Sequence, residues 1–298
     1  MQLLPTIRFG LFRFSDMRKF IFLLTILLGA PQLCAQESNF TPLAQDANIW
    51  QTLKYDAKSA FGGFKHSITA PVRWQGDDFL TAVSVITATS MFTALDQSAR
   101  NYFVEQEPNA PGVLKEFGWY FGSPQNFFMV SGGIYGFGLL TKNEKVRKTG
   151  VLIIASAATS GLFQTFFKTA VGRARPDDFT GPFEFEPFKG TARYHSFPSG
   201  HTILSISMAH SIAKQFDNIW VKSGIYALGS IAPVSRLWDD AHWVTDIVLG
   251  AAISIAVVDS VDNYLFGSRR YENAYQNRHR ISWRFTAGYN TVGLVGTF

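Results

Sequence analysis

Cysteine is almost missing: Cys34 is the only one in 298 residues. That excludes a disulfide scaffold and a cysteine-based zinc cage. Charge is scarce too, at 16% of residues against roughly 25% in an average soluble chain. With 47% hydrophobic and 15% aromatic residues, the chain cannot be intrinsically disordered, which requires the opposite balance. Nor is there a basic excess to bind nucleic acid. The net charge is +5, and three of those units belong to residues 1–35, where Arg8, Arg13, Arg18 and Lys19 face Asp16. What the chain has in plenty is apolar sequence, and its length suits one large domain or two small ones.

Residues 1–19 are basic, Phe20–Ala30 is apolar, and Leu33-Cys34-Ala35 leads into Gln36. This is the three-part pattern of a secretory signal, too short to span a bilayer comfortably. Residues 1–35 are read as a signal peptide, with an uncleaved N-terminal anchor as the alternative. Residues 36–78 are polar and mixed, an N-terminal extension of short helices and loops. Six charge-free apolar runs follow: Phe79–Leu95, Phe117–Thr141, Gly150–Phe167, Thr202–Ala213, Ser223–Ser235 and Ile247–Val258. A span needs about 20 residues, so the first three qualify on length, the Ser- and Thr-rich Phe79–Leu95 least well. The last three are short but begin or end at His201, Arg236 and Asp246. The expected fold is all-α, a membrane-embedded bundle of about six core helices over residues 79–266. Residues 267–298 read as a basic linker and a C-terminal β-hairpin, because Trp283, Phe285, Ala287 and Tyr289 alternate with polar residues before Asn290.

Loop charge orients the bundle. Lys142–Lys148 is short and strongly basic, hence cytoplasmic. Alternating crossings then place Lys214–Lys222 and Arg269–Arg270 inside as well, and Lys168–His201 and Arg236–Asp246 together outside. A cleaved signal puts residues 36–78 outside, so Phe79–Leu95 is expected to pack against the bundle without crossing. The alternative is that the leader stays as an anchor.

Three clusters carry chemistry. In the first, Lys168 and Arg175 are seven apart, two helical turns, and Pro176 ends the helix. Two cations on one face suit a phosphate or another oxyanion, or else mark a membrane boundary as snorkelling residues. In the second, Pro198-Ser199-Gly200-His201 precedes an apolar helix. Free N–H groups at a helix N-terminus, a capping Ser199, a close-approach Gly200 and a proton-carrying His201 suit an anionic ligand. An ordinary Ser-capped helix with a bystander histidine is the alternative. In the third, Ser235 and Arg236 lead to His242 and Asp246, which stand i,i+4 and so share a helical face. Such an Asp fixes the imidazole tautomer and frees Nε2 as a nucleophile; a surface His–Asp pair is the bland alternative.

Joint order and spacing go further than any one cluster. Lys-x6-Arg-Pro, then Pro-Ser-Gly-His, then Ser-Arg-x5-His-x3-Asp resembles the type 2 phosphatidic acid phosphatase/vanadium haloperoxidase superfamily over about residues 79–266. Every motif position is matched: Lys168, Arg175, Pro176, Pro198, Ser199, Gly200, His201, Ser235, Arg236, His242 and Asp246. The resemblance implies hydrolysis of a phosphomonoester or diphosphate with no metal and no other cofactor. His242 would attack phosphorus and become a phosphohistidine, supported by Asp246. Lys168, Arg175 and Arg236, with N–H groups around Ser199 and Gly200, would hold the phosphoryl oxygens. His201 would protonate the leaving oxygen and then activate water. The implied protein is a lipid-phosphate phosphatase of a bacterial inner membrane, its active site facing the periplasm, with the membrane and a lipid phosphate as partners. The same resemblance leaves open a soluble periplasmic acid phosphatase, favoured by a mean hydropathy of only +0.06, and a vanadate-dependent haloperoxidase. A non-catalytic lipid-binding protein is the reading from another class.

Other residues carry less. His195 either supports a residue that touches the ligand or fills its loop, and His210 reads as a hydrogen-bonded core histidine. Asp239 and Asp240 pair with the basic site, gate its entrance or are solvated. Arg173 could reach the phosphate but points to another face. Phe179, Phe183, Phe185 and Phe188 form an aromatic lip or simply pack their loop.

Overall fold

A computed structural model describes residues 43–44, 46–178, 181–267 and 271, and the backbone of 282–288 and 291–297. The expected signal peptide, Arg269, Arg270 and Phe179 lie outside the described residues. Among the described residues are nine α-helices: α1 Ile49–Ile68, α2 Gly76–Met91, α3 Thr93–Gln106, α4 Gly112–Gly122, α5 Pro124–Leu140, α6 Glu144–Val171, α7 Gly200–Ala213, α8 Ile219–Trp238 and α9 Val244–Phe266. Strands β1, Ser282–Gly288, and β2, Thr291–Thr297, pair antiparallel with Gly288 opposite Thr291.

The extension before residue 79 is not made of short helices only. Its α1 runs 20 residues from a reciprocal cap in which Asn48 and Gln51 satisfy each other's backbone N–H groups at 2.8 and 2.9 Å. Asp56, Ser59, Gly63 and Ser67 recur every three to four residues and turn one buried face to the bundle. Asp56 there accepts from Arg147 at 2.7 Å, from the Tyr135 hydroxyl at 2.9 Å and from the Tyr271 hydroxyl at 3.0 Å.

Two of the six apolar runs are broken. Phe117–Thr141 is not one helix: Gly122-Ser123-Pro124 divides it into α4 and α5. Pro124 sits at N1, where its missing N–H costs nothing. Phe79–Leu95 turns at Phe92, and the pair α2 and α3 is bent by 47°. It also does not bury itself against the bundle. Its only buried residue within α2 is Thr89, while Leu80 is 66% and Met91 73% exposed. An apolar helix bare on most sides has a lipid-facing composition. By length and composition, α6 and α9 are able to cross a membrane, and α2 with α3 adds a third if the bent pair is one span.

The centre is α6. One face packs Val151, Leu152 and Ala155 against Val257, Val258, Val261 and Leu265 of α9. The other packs Ile153 and Ala157 against Phe127 of α5 and Leu204 and Met208 of α7. Chain direction alternates through α6, α7, α8 and α9. The C-terminal ends of α6 and α8 therefore lie with the N-terminal ends of α7 and α9, and that end holds the candidate site.

Candidate active site

Lys168, in the last turn of α6, donates from Nζ to the carbonyl of His195 at 2.5 Å. Thus His195 contributes its backbone here. The helix does not continue to Arg175, as two-turn spacing suggested. It stops at Gly172, which is left-handed at φ +58°, and a Cβ there would come 2.0 Å from the carbonyl of Glu186. So Lys168 and Arg175 do not share a helical face. A folded loop places Arg175 instead: its guanidinium donates to the carbonyls of Ala192 and Ala241, each at 3.2 Å. The second of these ties it to the residue next to His242.

Ser199 caps α7, its side chain accepting from the N–H of Thr202 at 3.5 Å, and its own N–H donates to the carbonyl of Asp246 at 3.1 Å. Gly200 lies against Gln164, where a Cβ would fall 2.6 Å from Nε2. His201 follows, its Nε2 buried and without a hydrogen-bond partner among the described residues. Helix α4 closes over it: a Cβ on Gly122 would sit 2.7 Å from the His201 ring.

Arg236, at the end of α8, is buried and forms an ion pair with Asp239 at 2.5 Å. Asp240 is held by a two-pronged contact from Arg100 of α3, at 2.7 and 2.5 Å. Both aspartates therefore pair with bases. The Asp177 carboxyl is pushed up from its ordinary pKa, by burial first and then by the adjacent Asp178, with Arg175 opposing.

His242 is buried but lies before α9, with Trp243 as the N-cap. The common helical face inferred from i,i+4 spacing does not exist, because the first partner is outside the helix. The pair still meets, His242 Nδ1 being 3.7 Å from Asp246 Oδ2. That is an ion-pair distance, longer than a hydrogen bond, and such contacts commonly tighten when substrate binds. Asp246 is otherwise saturated. Oδ2 accepts from the Ser196 hydroxyl at 2.5 Å and the Trp243 N–H at 2.9 Å, and Oδ1 accepts from Arg173 at 2.8 Å.

Arg173 does not reach toward a phosphate. It is buried between the rings of Trp243 and Phe185, at 5.3 and 5.8 Å, and joins Asp246 to Asp96 of α3, the latter at 2.6 Å. Phe185 thus covers an arginine and forms no lip, whereas Phe183 is half exposed. Asp96 and Ser196 were not singled out from sequence. Ser196 carries no signal there. Asp96 did offer one, since a carboxylate abutting an apolar run is costly unless paired.

The charges converge. The pKa of His201 is lowered to about 3, by burial first and then by Arg236, His242, Lys168 and Arg175. The pKa of His242 is lowered to about 4, by burial against the opposing pull of Asp246, with Lys168 and Arg175 lowering it further. Five groups from three helix ends and two loops therefore share one electrostatic neighbourhood. At pH 7 both imidazoles are neutral, which a nucleophile requires. Among the described residues, no group of three or more His, Cys, Asp or Glu is placed to hold a metal ion. The donors that gather here suit an oxyanion.

A family model of the PAP2 superfamily matches residues 149–265. Residues 149–265 are thereby identified with this superfamily. Every motif position from Lys168 to Asp246 lies within the PAP2 match. The chain is similar to the lipid A 1-phosphatase of Rhizobium etli, 29% identical over an alignment of 198 residues, covering 61% of this chain and 81% of the relative. It is also similar to the lipid A 4′-phosphatase of Porphyromonas gingivalis, 28% identical over 130 residues, covering 42% of this chain and 54% of that protein. Among solved structures it resembles that of Aquifex aeolicus LpxE, at 20% identity and a TM-score of 0.40, over 56% of this chain and 94% of that one.

Proposed function

We propose that the chain is a metal-independent phosphatase that hydrolyses a lipid phosphate or diphosphate through a phosphohistidine on His242, at the periplasmic face of a bacterial inner membrane. One observation carries this reading: Lys168 donates to the carbonyl of His195 in the loop ahead of His201, Arg175 to the carbonyl of Ala241 beside His242, and the Ser199 N–H to the carbonyl of Asp246, so three clusters dispersed in sequence meet in one place.

The chemistry follows from the placement. Lys168, Arg175 and Arg236 hold the phosphoryl oxygens, and the N–H groups at the start of α7 add donors as charge builds in the transition state. His242 Nε2 forms the new bond to phosphorus while the bond to the leaving oxygen breaks. Asp246 supports the imidazolium that results. His201 gives the leaving oxygen its proton and then takes one from water, whose oxygen attacks phosphorus and frees His242. A phosphate dianion among three cations offsets the charge that depresses His201, so the proton arrives with the substrate.

The two relatives named above carry lipid A in their names at different phosphates, which puts lipid A phosphates at the head of the candidates. Exposed apolar helices put the site within reach of an amphiphile's headgroup. Orientation is supported by loop charge: Lys145 lies 5.3 Å from the ring of Phe216, so the basic loop before α6 and the loop between α7 and α8 share the end opposite the site.

The test is phosphate release in detergent from lipid A phosphorylated at position 1 or 4′, phosphatidate, phosphatidylglycerophosphate and undecaprenyl diphosphate. Wild type should release phosphate from at least one, and His242→Ala should lose at least about 10³-fold of that rate. His201→Ala should lose less with a substrate whose leaving group needs no proton, such as an aryl phosphate. Undiminished release by His242→Ala would overturn the reading.

A further inference from the structure

Helix α3 lies outside the segment matched by the PAP2 family model, yet it grips the loop of the proposed nucleophile on both sides. Ahead of His242, Arg100 holds Asp240. Behind it, Asp96 accepts from the N–H of Thr245 at 2.9 Å and from its hydroxyl at 2.8 Å. Asp96 and Asp246 are completely buried, and Arg173 between them is 2% exposed. An isolated charge in such surroundings is very costly, so the three must be counted together.

Asp246 bound to Arg173 alone would be a neutral pair, poorly able to support an imidazolium. Asp96 takes up the charge of Arg173, and the trio keeps one net negative unit beside His242. We infer that Asp96 and Arg173 are positioning residues for the nucleophile, α3 serving as a clamp that fixes the His242 loop and leaves the charge of Asp246 uncompensated. This rests on the proposed role of His242. Neither residue touches the phosphoryl group; both act through Asp246.

The other charged groups facing His242 are Lys168 of α6, Arg175 of the following loop and His201 of α7, with Arg236 of α8 facing His201. All stay constant in the test. Asp96→Asn, similar in shape, removes the negative unit. The expected outcome is a kcat about tenfold to a hundredfold lower with KM unchanged. The acid limb of the kcat/KM pH profile should move to lower pH, because imidazolium loses support. Arg173→Gln leaves two carboxylates together, so its limb should move to higher pH. In Asp96→Asn/Arg173→Gln the single negative unit returns, and kcat should rise above that of Asp96→Asn alone.

A merely structural role predicts the reverse, the double variant being the worse and the limbs unmoved. Wild-type kcat in Asp96→Asn, or a double variant below the single one, overturns the inference. If Asp96→Asn fails to accumulate in membranes, Arg173→Gln decides, and a limb that stays in place or moves down overturns it. Activity retained by His242→Ala removes the functional reading itself. An inactive His242→Ala beside a fully active Asp96→Asn removes only the clamp.

Discussion

A general acid held near pKa 3 carries no proton at neutral pH, so His201 cannot act in that state alone. Burial leads the depression, and the cations Arg236, Lys168 and Arg175 add to it. A bound dianion reverses the cationic part. The sign is then fixed: the complex binds a proton that the free protein does not, so anion binding tightens as pH falls through the raised pKa of the complex. Orthovanadate, which mimics phosphate, titrates itself, and the comparison must remove that contribution. Inhibition constants measured from pH 5 to 8 should show wild type taking up more protons per bound vanadate than His201→Gln, with up to one proton between them. Equal slopes would mean that another group supplies the proton. The same depression has a stability side. His242, neutral in the fold but protonated in the unfolded chain below about pH 6.5, withdraws stability as pH drops from there to about 4, at about 1.4 kcal/mol per unit.

Helix identity was readable from the apolar runs, four of which lie within single helices while two span a break between consecutive helices; where helices end was not. Gly172 looked like an interior residue between Lys168 and Arg175, and only its left-handed backbone against Glu186 shows it as the stop. His242 and Asp246 have the spacing of a helical pair, yet the helix begins between them. In both places the motif survives because a loop supplies what the assumed helix was to supply, and loop paths depend on long-range hydrogen bonds that local sequence does not encode. The partners of Asp96 were hidden for a related reason, lying 77 and 149 positions away. The motif positions stand in the sequence itself, but the partners that hold them in place do not. Close packing around the site shows the same dependence. Gly118 and Gly122 let α4 lie on Ser235 and His201, where added Cβ atoms would come within 2.4 and 2.7 Å. Gly122→Ala should therefore displace the His201 ring at a cost of about 1–3 kcal/mol of overpacking. Phosphate release should fall well beyond the loss in Tm, measured by thermal unfolding in detergent. Unchanged kcat would show that the ring has room to move.

The molecule has two unlike ends. One gathers the phosphate-type site, with Trp119 and Tyr120 of α4 exposed near it; the other carries exposed Ile219 and Trp220 beside the basic loops. Amphipathic aromatics at both ends of an apolar bundle match the two headgroup levels of a bilayer. Basic residues at the second end do not all remain in solvent: Arg147 pairs with Asp56, Lys148 lies over Phe266, and Lys214 pairs with Asp259 and Asp262. The orientation bias acts while the chain inserts, before those pairs form, so all of them still count toward it. The site should then face away from the cytoplasm. Cysteine scarcity makes this simple to check, because Cys34→Ser leaves a cysteine-free background. A single cysteine is then introduced by Lys189→Cys in the exposed loop between α6 and α7, or by Asp217→Cys between α7 and α8. A membrane-impermeant maleimide applied to intact spheroplasts should label the first and leave the second unlabelled until lysis. Labelling of Asp217→Cys without lysis would put the basic loops outside, and the phosphatase would then act on headgroups of the inner leaflet.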